Sequence, residues 1–92
     1  MQLIEKVRRD HAGNITHVQW FEYATGCDPA STQVEVIVVV NAVHAGIDVR
    51  SFIDGYIGYK VVPAGPTGGF ETIDDKPDRR RGRRRLADLP TF

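Results

Sequence analysis

The fold of this chain is decided by the stretch Thr32-Gln33-Val34-Glu35-Val36-Ile37-Val38-Val39-Val40-Asn41-Ala42-Val43-His44-Ala45-Gly46. Half of the fourteen residues from 32 to 45 are valine or isoleucine, a composition that by itself favours a buried strand. Thr32 and Glu35, however, have the spacing of a helix capping box, and Gly46 stands where a helix commonly ends. The stretch is also long for a strand, although Glu35, Asn41 and His44 do not gather on one helical face. We therefore interpret residues 32–45 as a helix, with a strand as the alternative.

Segments rich in β-branched and aromatic residues lie on both sides of this helix and predict strands. The first two are joined by a turn at Gly13 and the next two by Asp54-Gly55, the strongest hairpin signal in the chain. Pro63 is expected to end the fourth strand, because proline cannot donate to a ladder. The predicted strands are residues 2–10, 15–23, 48–53, 56–62 and 70–73. The expected fold is α+β, an antiparallel sheet of about five strands with one helix in the order β-β-α-β-β-β.

Charge divides the chain into regions of opposite sign. Twelve basic and twelve acidic side chains give a formal charge of zero. Residues 1–78 nevertheless hold six bases and eleven acids, a net charge of −5, whereas residues 79–92 hold six arginines and one acid, a net charge of +5. This asymmetry is typical of a chain with an electrostatic tail. We therefore expect a compact domain over residues 1–73, a charged linker with an arginine run over 74–85, and an apolar C-terminal segment over 86–92 that folds back on the domain.

Length and composition exclude several classes of protein. A chain of 92 residues fits one small domain with a modest core. No apolar stretch approaches the roughly 18 residues of a membrane span, and the N-terminus lacks the layout of a secretion signal. The single cysteine cannot form an internal disulfide. These features predict a cytoplasmic protein without a membrane partner.

Short motifs occur along nearly the whole chain: Val7-Arg8-Arg9-Asp10, Gly13-Asn14-Ile15, Gly46, Asp54-Gly55, Thr72, Asp74-Asp75 and Leu86-Ala87-Asp88-Leu89-Pro90. Together with the order of predicted elements, they resemble a small bacterial family filed as domain of unknown function 3892. The arginine run and the valine-rich helix depart from that family's pattern. The resemblance implies an α+β fold and a structural role for the Leu-Pro ending, and it implies no activity.

The sharpest candidate site is the arginine run, which consists of Arg79, Arg80, Arg81, Arg83, Arg84 and Arg85. Each guanidinium group can pair with a phosphate and release counterions, so the run predicts contact with RNA or DNA without base selectivity. Two other interpretations stay open. In one, the run is a solvated tail whose positive charge balances the negative charge of residues 1–78. In the other, its arginines pair with Asp74, Asp75 and Asp78. The aromatic residues of the second predicted strand are expected to pack in the core rather than to stack on bases.

Side chains that carry catalysis or hold metal ions are sparse. The three histidines lack metal-ligand spacing and lie far in sequence from Cys27. The carboxylates Asp74, Asp75 and Asp78 lack the spacing of a calcium loop and fit a charged linker better. Residues 65–69 are rich in glycine but lack the lysine and the following helix of a phosphate-binding loop. We therefore expect no metal site, no cofactor and no enzyme activity.

The apolar triad Leu86, Leu89 and Phe92 has two interpretations. It caps an open end of a thin core, which we favour, or it docks onto a protein partner. The first function hypothesis is a non-enzymatic interaction module that binds an unidentified protein partner or forms a homodimer through an exposed strand edge. The alternative is a weak, sequence-independent nucleic-acid binder that uses the arginine run.

Overall fold

The computed structural model has the predicted α+β fold, built on one mixed sheet. It describes residues 1–23, 30–67, 70–76, 86 and 89–92, and for residues 65–67, 70 and 71 it describes the backbone alone. The elements are β1 (Gln2–Arg9), β2 (Ile15–Glu22), β3 (Thr32–Glu35), α1 (Val36–His44), β4 (Val49–Ile53), β5 (Tyr56–Thr67) and β6 (Phe70–Asp75). The six strands lie side by side in the order β3-β2-β1-β4-β5-β6. The described residues thus contain one strand more than expected, in the order β-β-β-α-β-β-β.

The first hairpin forms at a turn that the side chain of Asp10 closes. Its carboxylate accepts hydrogen bonds from the backbone N–H groups of Ala12 and Asn14, both at 2.9 Å. Gly13 adopts a φ of 85°, which glycine takes without strain. The backbone hydrogen bond from Asn14, assisted by the one from Ala12, lowers the pKa of Asp10 below its ordinary value of 3.8. The turn thereby fixes the register of β1 against β2.

Residues 32–35 form a strand rather than the first turn of a helix, so this part of the prediction is wrong. β3 pairs antiparallel with β2, and Val34 packs against the core. The helix begins at Val36, where Glu35 occupies the N-cap without a side-chain capping bond. The capping box predicted at Thr32 does not form, because the edge of β2 offers these residues backbone partners in an extended conformation.

The other end of α1 confirms the prediction of a glycine stop. Gly46 has a φ of 87°, the left-handed conformation that favours glycine. Its N–H donates to the carbonyl of Val43, and the N–H of Ile47 donates to the carbonyl of Ala42, each at 3.0 Å. This pair of hydrogen bonds is the Schellman pattern, which satisfies carbonyl groups that a helix end leaves free.

The position of α1 explains why the sheet is mixed rather than antiparallel as expected. A helix between two strands returns the chain to the same end of the sheet, so the next strand can run parallel to an earlier one. β4 accordingly pairs parallel with β1, with Gln2 opposite Val49 and Ile4 opposite Ser51. The other pairings of the named strands are antiparallel. The expectation was wrong because it joined the strands by hairpins and overlooked this crossover.

One face of the sheet is covered by α1 and holds the core. Val39 and Val40 of α1 are fully buried, as are Ile4 and Val7 of β1 and Val18 of β2. The buried cluster consists of Ile4, Val7, Ile15, Val18, Val39, Val40, Val49, Val61, Ile73, Leu86 and Leu89. The valine-rich composition that suggested a strand therefore serves to fill the space between a helix and a sheet.

The second hairpin confirms the predicted turn, but its returning strand is longer than expected. Asp54 and Gly55 have φ values of 52° and 81°, as a two-residue hairpin turn requires. β5 then continues through Pro63 to Thr67. β4 pairs with β5 only as far as Lys60. Pro63 lies beyond that point, so its missing N–H removes no hydrogen bond to β4.

The final strand also runs further than expected. β6 continues through Asp74 and Asp75, which pair with β5, so these two residues belong to the sheet and not to the predicted linker. Their lack of apolar character suggested a solvated segment, but an available partner strand decides the pairing. Of the rest of that linker, Lys76 is described and residues 77–85 lie outside the described residues.

Candidate functional site

The C-terminal segment lies against its own domain. Leu86 and Leu89 are buried in the core. The N–H of Val7 donates to the carbonyl of Pro90 at 3.0 Å, and the N–H of Phe92 donates to the carbonyl of Val7 at 3.1 Å. The segment therefore pairs with β1 beyond the point where the pairing with β4 ends. This is the fold-back arrangement, in which the side chains of Leu86 and Leu89 are not available for docking.

Phe92, the third member of the triad, is half-buried and packs on an arginine. The guanidinium carbon of Arg8 lies 4.8 Å from the centre of the Phe92 ring. The Nε of the same arginine donates to the Phe92 carbonyl at 3.3 Å. A cation over an aromatic ring is attracted by the ring's negative face, so this contact holds the end of the chain against β1.

A carboxylate connects the two ends of the arginine-bearing segment. The N–H of Leu86 donates to both oxygens of Asp75, at 3.0 Å each. We name this contact the clasp. Arg9 supports it by donating to the carbonyl of Leu86 at 3.3 Å and to that of Gly13 at 3.0 Å. The chain therefore enters and leaves residues 77–85 at one place on the domain.

The candidate nucleic-acid-binding residues themselves lie in that segment. Outside the described residues are Arg79, Arg80, Arg81, Arg83, Arg84 and Arg85, together with Asp78 and Cys27. Sequence reasoning treated the run as part of an open linker and missed the clasp. No sequence signal could have revealed it, because Asp75 and Leu86 meet only through the folded sheet.

A shallow cleft of about 170 Å³ lies beside the clasp. It is lined by Arg9, Gly13, Asn14, Ile15, Thr72, Ile73, Asp74, Asp75 and Leu86, several of which belong to the motifs that carry the family resemblance. Its volume is below the roughly 300 Å³ at which small-molecule pockets begin. Arg9 and Asp75 already bond to Leu86, so the residues of this cleft hold the C-terminal segment in place.

The helix presents apolar side chains to solvent as well as to the core. Ile37 and Val38 are 46% and 43% exposed, and Ile47, just beyond the helix, is 43% exposed. No aspartate, glutamate, lysine or arginine occurs from Val36 to Ile47. A surface helix normally carries a polar outer stripe, and the missing stripe was the signal that could have identified this surface from sequence. The α1 outer face comprises the exposed side chains Ile37, Val38, Asn41, His44, Ala45 and Ile47.

The titratable side chains form no metal centre in the part of the chain that the structure describes. No group of three histidine, cysteine, aspartate or glutamate side chains there could hold a metal ion. His11 and His44 are exposed. His17 is half-buried, and its Nδ1 lies 3.0 Å from the hydroxyl of Thr16. Among the described helices, none has the length and apolarity of a membrane span.

Comparison with known proteins leaves the chain without an identified relative. No family model, no curated protein and no solved structure matches it. The resemblance to the family of domain of unknown function 3892 stays a prediction, and the function is argued from the surfaces described above.

Proposed function

We propose that this protein is a non-enzymatic interaction module that self-associates through the α1 outer face. The observation that carries the proposal is the exposure of Ile37, Val38 and Ile47 on a surface without aspartate, glutamate, lysine or arginine. Contiguous exposed apolar surface on a small domain marks interaction sites. A helix that is apolar on both sides is more typical of an element that is covered on both sides.

The free strand edge at β3 supports self-association less well than the helix does. β3 has four residues, and Thr32, Gln33 and Glu35 are exposed. Short and polar edges disfavour the addition of another strand. The proposal therefore assigns the interaction to the α1 outer face rather than to the edge of β3.

A second copy of the chain is the partner that this face fits. In an antiparallel pair of α1 helices, a two-fold axis places each residue opposite its symmetry-related position. With Asn41 on the axis, its amide meets the same amide of the copy, and each can donate and accept. The bulky Ile37 then lies opposite the small Ala45 of the copy, four residues to either side of the axis. No aspartate, glutamate, lysine or arginine meets its like across the pair, because the face carries none of them.

Light scattering across a concentration series tests this proposal. Val38→Lys places a charge on the face, one helical turn from the axis, and should convert a dimer into a monomer. Tyr23→Lys is the matched control, because Tyr23 is 52% exposed but follows β2 and is not part of the α1 outer face. The control should remain dimeric, and circular dichroism should show both variants folded. A wild-type protein that stays monomeric up to about 1 mM would contradict the proposal.

Weak, sequence-independent nucleic-acid binding is the second candidate function. It is supported by six arginines within residues 79–85 and by the clasp, which brings the chain on either side of residues 77–85 to one place. A polyanion pairs with such a cluster and releases counterions. Residues 1–78 carry a net charge of −5, so the net charge of the domain does not by itself attract a polyanion.

Replacement of the six arginines by serine tests the second candidate. Wild-type protein should bind labelled RNA or DNA at about 50 mM salt, with an affinity that falls steeply as salt rises. The serine variant should lose that binding while remaining folded. Absence of wild-type binding at about 50 mM salt would reject nucleic-acid binding altogether.

A further inference from the structure

The sheet face opposite α1 carries a row of side chains that crosses the strands. Phe21 of β2 lies opposite Leu3 of β1, Leu3 lies opposite Arg50 of β4, and Arg50 lies opposite Lys60 of β5. The N–H of Lys76 donates to the carbonyl of Lys60 at 2.7 Å, which continues the register of β5 against β6. The open-face row consists of Phe21, Leu3, Arg50, Lys60 and Lys76.

Side chains along a strand point alternately to the two faces of the sheet, and this alternation places the row on the face away from the core. Val49 and Val61, the chain neighbours of Arg50 and Lys60, are fully buried on the α1 side. Phe21 meets Phe52 in an edge-to-face contact with ring centres 5.3 Å apart. Both rings are half-buried, so each keeps part of its surface in solvent. The open face therefore joins an aromatic pair to a line of cations.

Arg50 and Lys60 lie on adjacent strands and Lys76 directly follows β6, so these three cations repel one another. Neighbouring strands are about 4.8 Å apart, and like charges placed directly opposite each other destabilise a sheet. Arg50 is partly compensated by Asp48, whose carboxylate lies 3.3 Å from its Nε. Lys60 and Lys76 are exposed, and no ion pair joins either of them to another described residue. A bound polyanion would remove this repulsion.

The acids near the row do not neutralise it. Glu5 lies on the same face and accepts a hydrogen bond from Gln19 at 2.7 Å. Asp74 precedes Lys76 by two residues and accepts from the backbone N–H of Asp75 at 2.8 Å. Both carboxylates are thus engaged with neutral groups, and neither forms an ion pair with the cations of the row in the described part of the chain.

We propose that a single-stranded nucleic acid binds across this open face, with its phosphates along Arg50, Lys60 and Lys76 and a base against Phe21 and Phe52. The inference rests on the second candidate function and gives it a surface on the folded domain. Aromatic rings that keep part of their surface in solvent bind bases by stacking, which an acidic peptide or a lipid headgroup does not offer and which a duplex hides inside its base pairs. Lys76, the last member of the row, lies three residues before Arg79, the first of the six arginines.

Fluorescence anisotropy with a labelled single strand of about 12 nucleotides tests the inference. Lys60→Thr should lower the slope of log affinity against log salt by about 0.7, the value for one lost phosphate contact to a single strand. Lys6→Thr is the matched control, because Lys6 is an exposed lysine of β1 on the same face but outside the row. Its slope should equal that of the wild type. Phe52→Leu should raise the Kd roughly tenfold through lost stacking, with circular dichroism to verify folding.

The outcomes separate this inference from the function on which it rests. If the six-serine variant loses all binding and Lys60→Thr behaves like Lys6→Thr, nucleic-acid binding stands and the open-face site is rejected. If a duplex of the same sequence or polyglutamate binds as tightly as the single strand, the assigned ligand is wrong. We expect Lys60→Thr, but not Lys6→Thr, to reduce the salt dependence of the affinity. We also expect the protein to bind the single strand more tightly than the duplex.

Discussion

The two faces of the sheet differ in what covers them and therefore in what they can do. The face under α1 is filled by valine, isoleucine and leucine side chains from the sheet, the helix and the C-terminal segment. The opposite face carries the open-face row, where Leu3 is fully buried beside half-buried aromatic rings and exposed lysines. A domain of this size has a modest hydrophobic core, and here that core lies on the α1 side of the sheet. The other side is then free to hold charges that contribute little to the fold.

Adjacent residues of β1 offer the largest test of this difference. Ile4 and Leu3 are both fully buried, but Ile4 lies under α1 and Leu3 lies on the open face. We expect Ile4→Ala to lower the free energy of unfolding by about 4 kcal/mol, near the upper end for such truncations. Leu3→Ala should lower it by about 2 kcal/mol, because the half-buried ring of Phe21 opposite it borders solvent and can shift to fill part of the cavity. Urea unfolding measures both, and equal losses would contradict the contrast between the faces.

The C-terminal segment offers a second test of the same contrast, because it contributes to both environments. Leu89 is buried in the core, so Leu89→Ala should cost about 3 kcal/mol. Phe92 is half-buried and rests against Arg8, so Phe92→Ala should cost about 1 kcal/mol. Thermal unfolding monitored by circular dichroism distinguishes the two. Similar and negligible losses would mean that the segment does not complete the core.

The clasp should have a smaller effect on stability. Asp75→Asn replaces a carboxylate that accepts from the N–H of Leu86 with a neutral amide, and we expect a loss of about 1 kcal/mol. Asp74→Asn is the matched control, since its side chain is exposed and bonds to a backbone N–H of the next residue. Chemical denaturation compares them. If Asp74→Asn destabilises the protein as much as Asp75→Asn, the clasp is not a specific support of the C-terminal segment.

The smallest effect is expected at the turn of the first hairpin, which belongs to neither face. Hydrogen bonds from Asn14 and Ala12 hold the pKa of Asp10 below its ordinary 3.8. The ionised side chain therefore contributes stability that is fully present above about pH 4 and is lost as pH falls through the lowered pKa. Asp10→Asn should lower the free energy of unfolding at neutral pH. The difference in stability between the variant and the wild type should become smaller below pH 3.8. Urea midpoints measured from pH 7 to pH 2 check this sign, and a difference that widens at low pH would refute it.

Local turn chemistry explains which parts of the fold were predictable from sequence. Gly46 and the Asp54-Gly55 pair adopt positive φ values, a requirement that acts within a few residues and is therefore visible in the sequence. Pairing across the sheet is not local. The extension of β5 past Pro63, the strand at Thr32–Glu35 and the parallel contact of β4 with β1 depend on which edge is free.

The candidate surfaces follow the same division. The arginine run was evident from sequence because its residues are consecutive, although its position lies outside the described residues. The open-face row could not be found in this way, since only strand register brings Phe21, Arg50 and Lys76 into one row. The α1 outer face left a trace in the missing polar stripe, which sequence reasoning counted against a helix rather than as evidence for a binding surface.

The most direct test of the contrast between the faces is a heteronuclear NMR titration of the wild-type protein with an unlabelled single strand. We predict that amide signals of Arg50, Lys60, Lys76 and Phe52 shift progressively at low salt and return as salt is raised. Signals of Val38 and Asn41 on the α1 outer face should stay unchanged at a fixed protein concentration. Shifts that cluster on α1, or that are absent from the open-face row, would contradict the assignment of ligand binding to the uncovered side of the sheet.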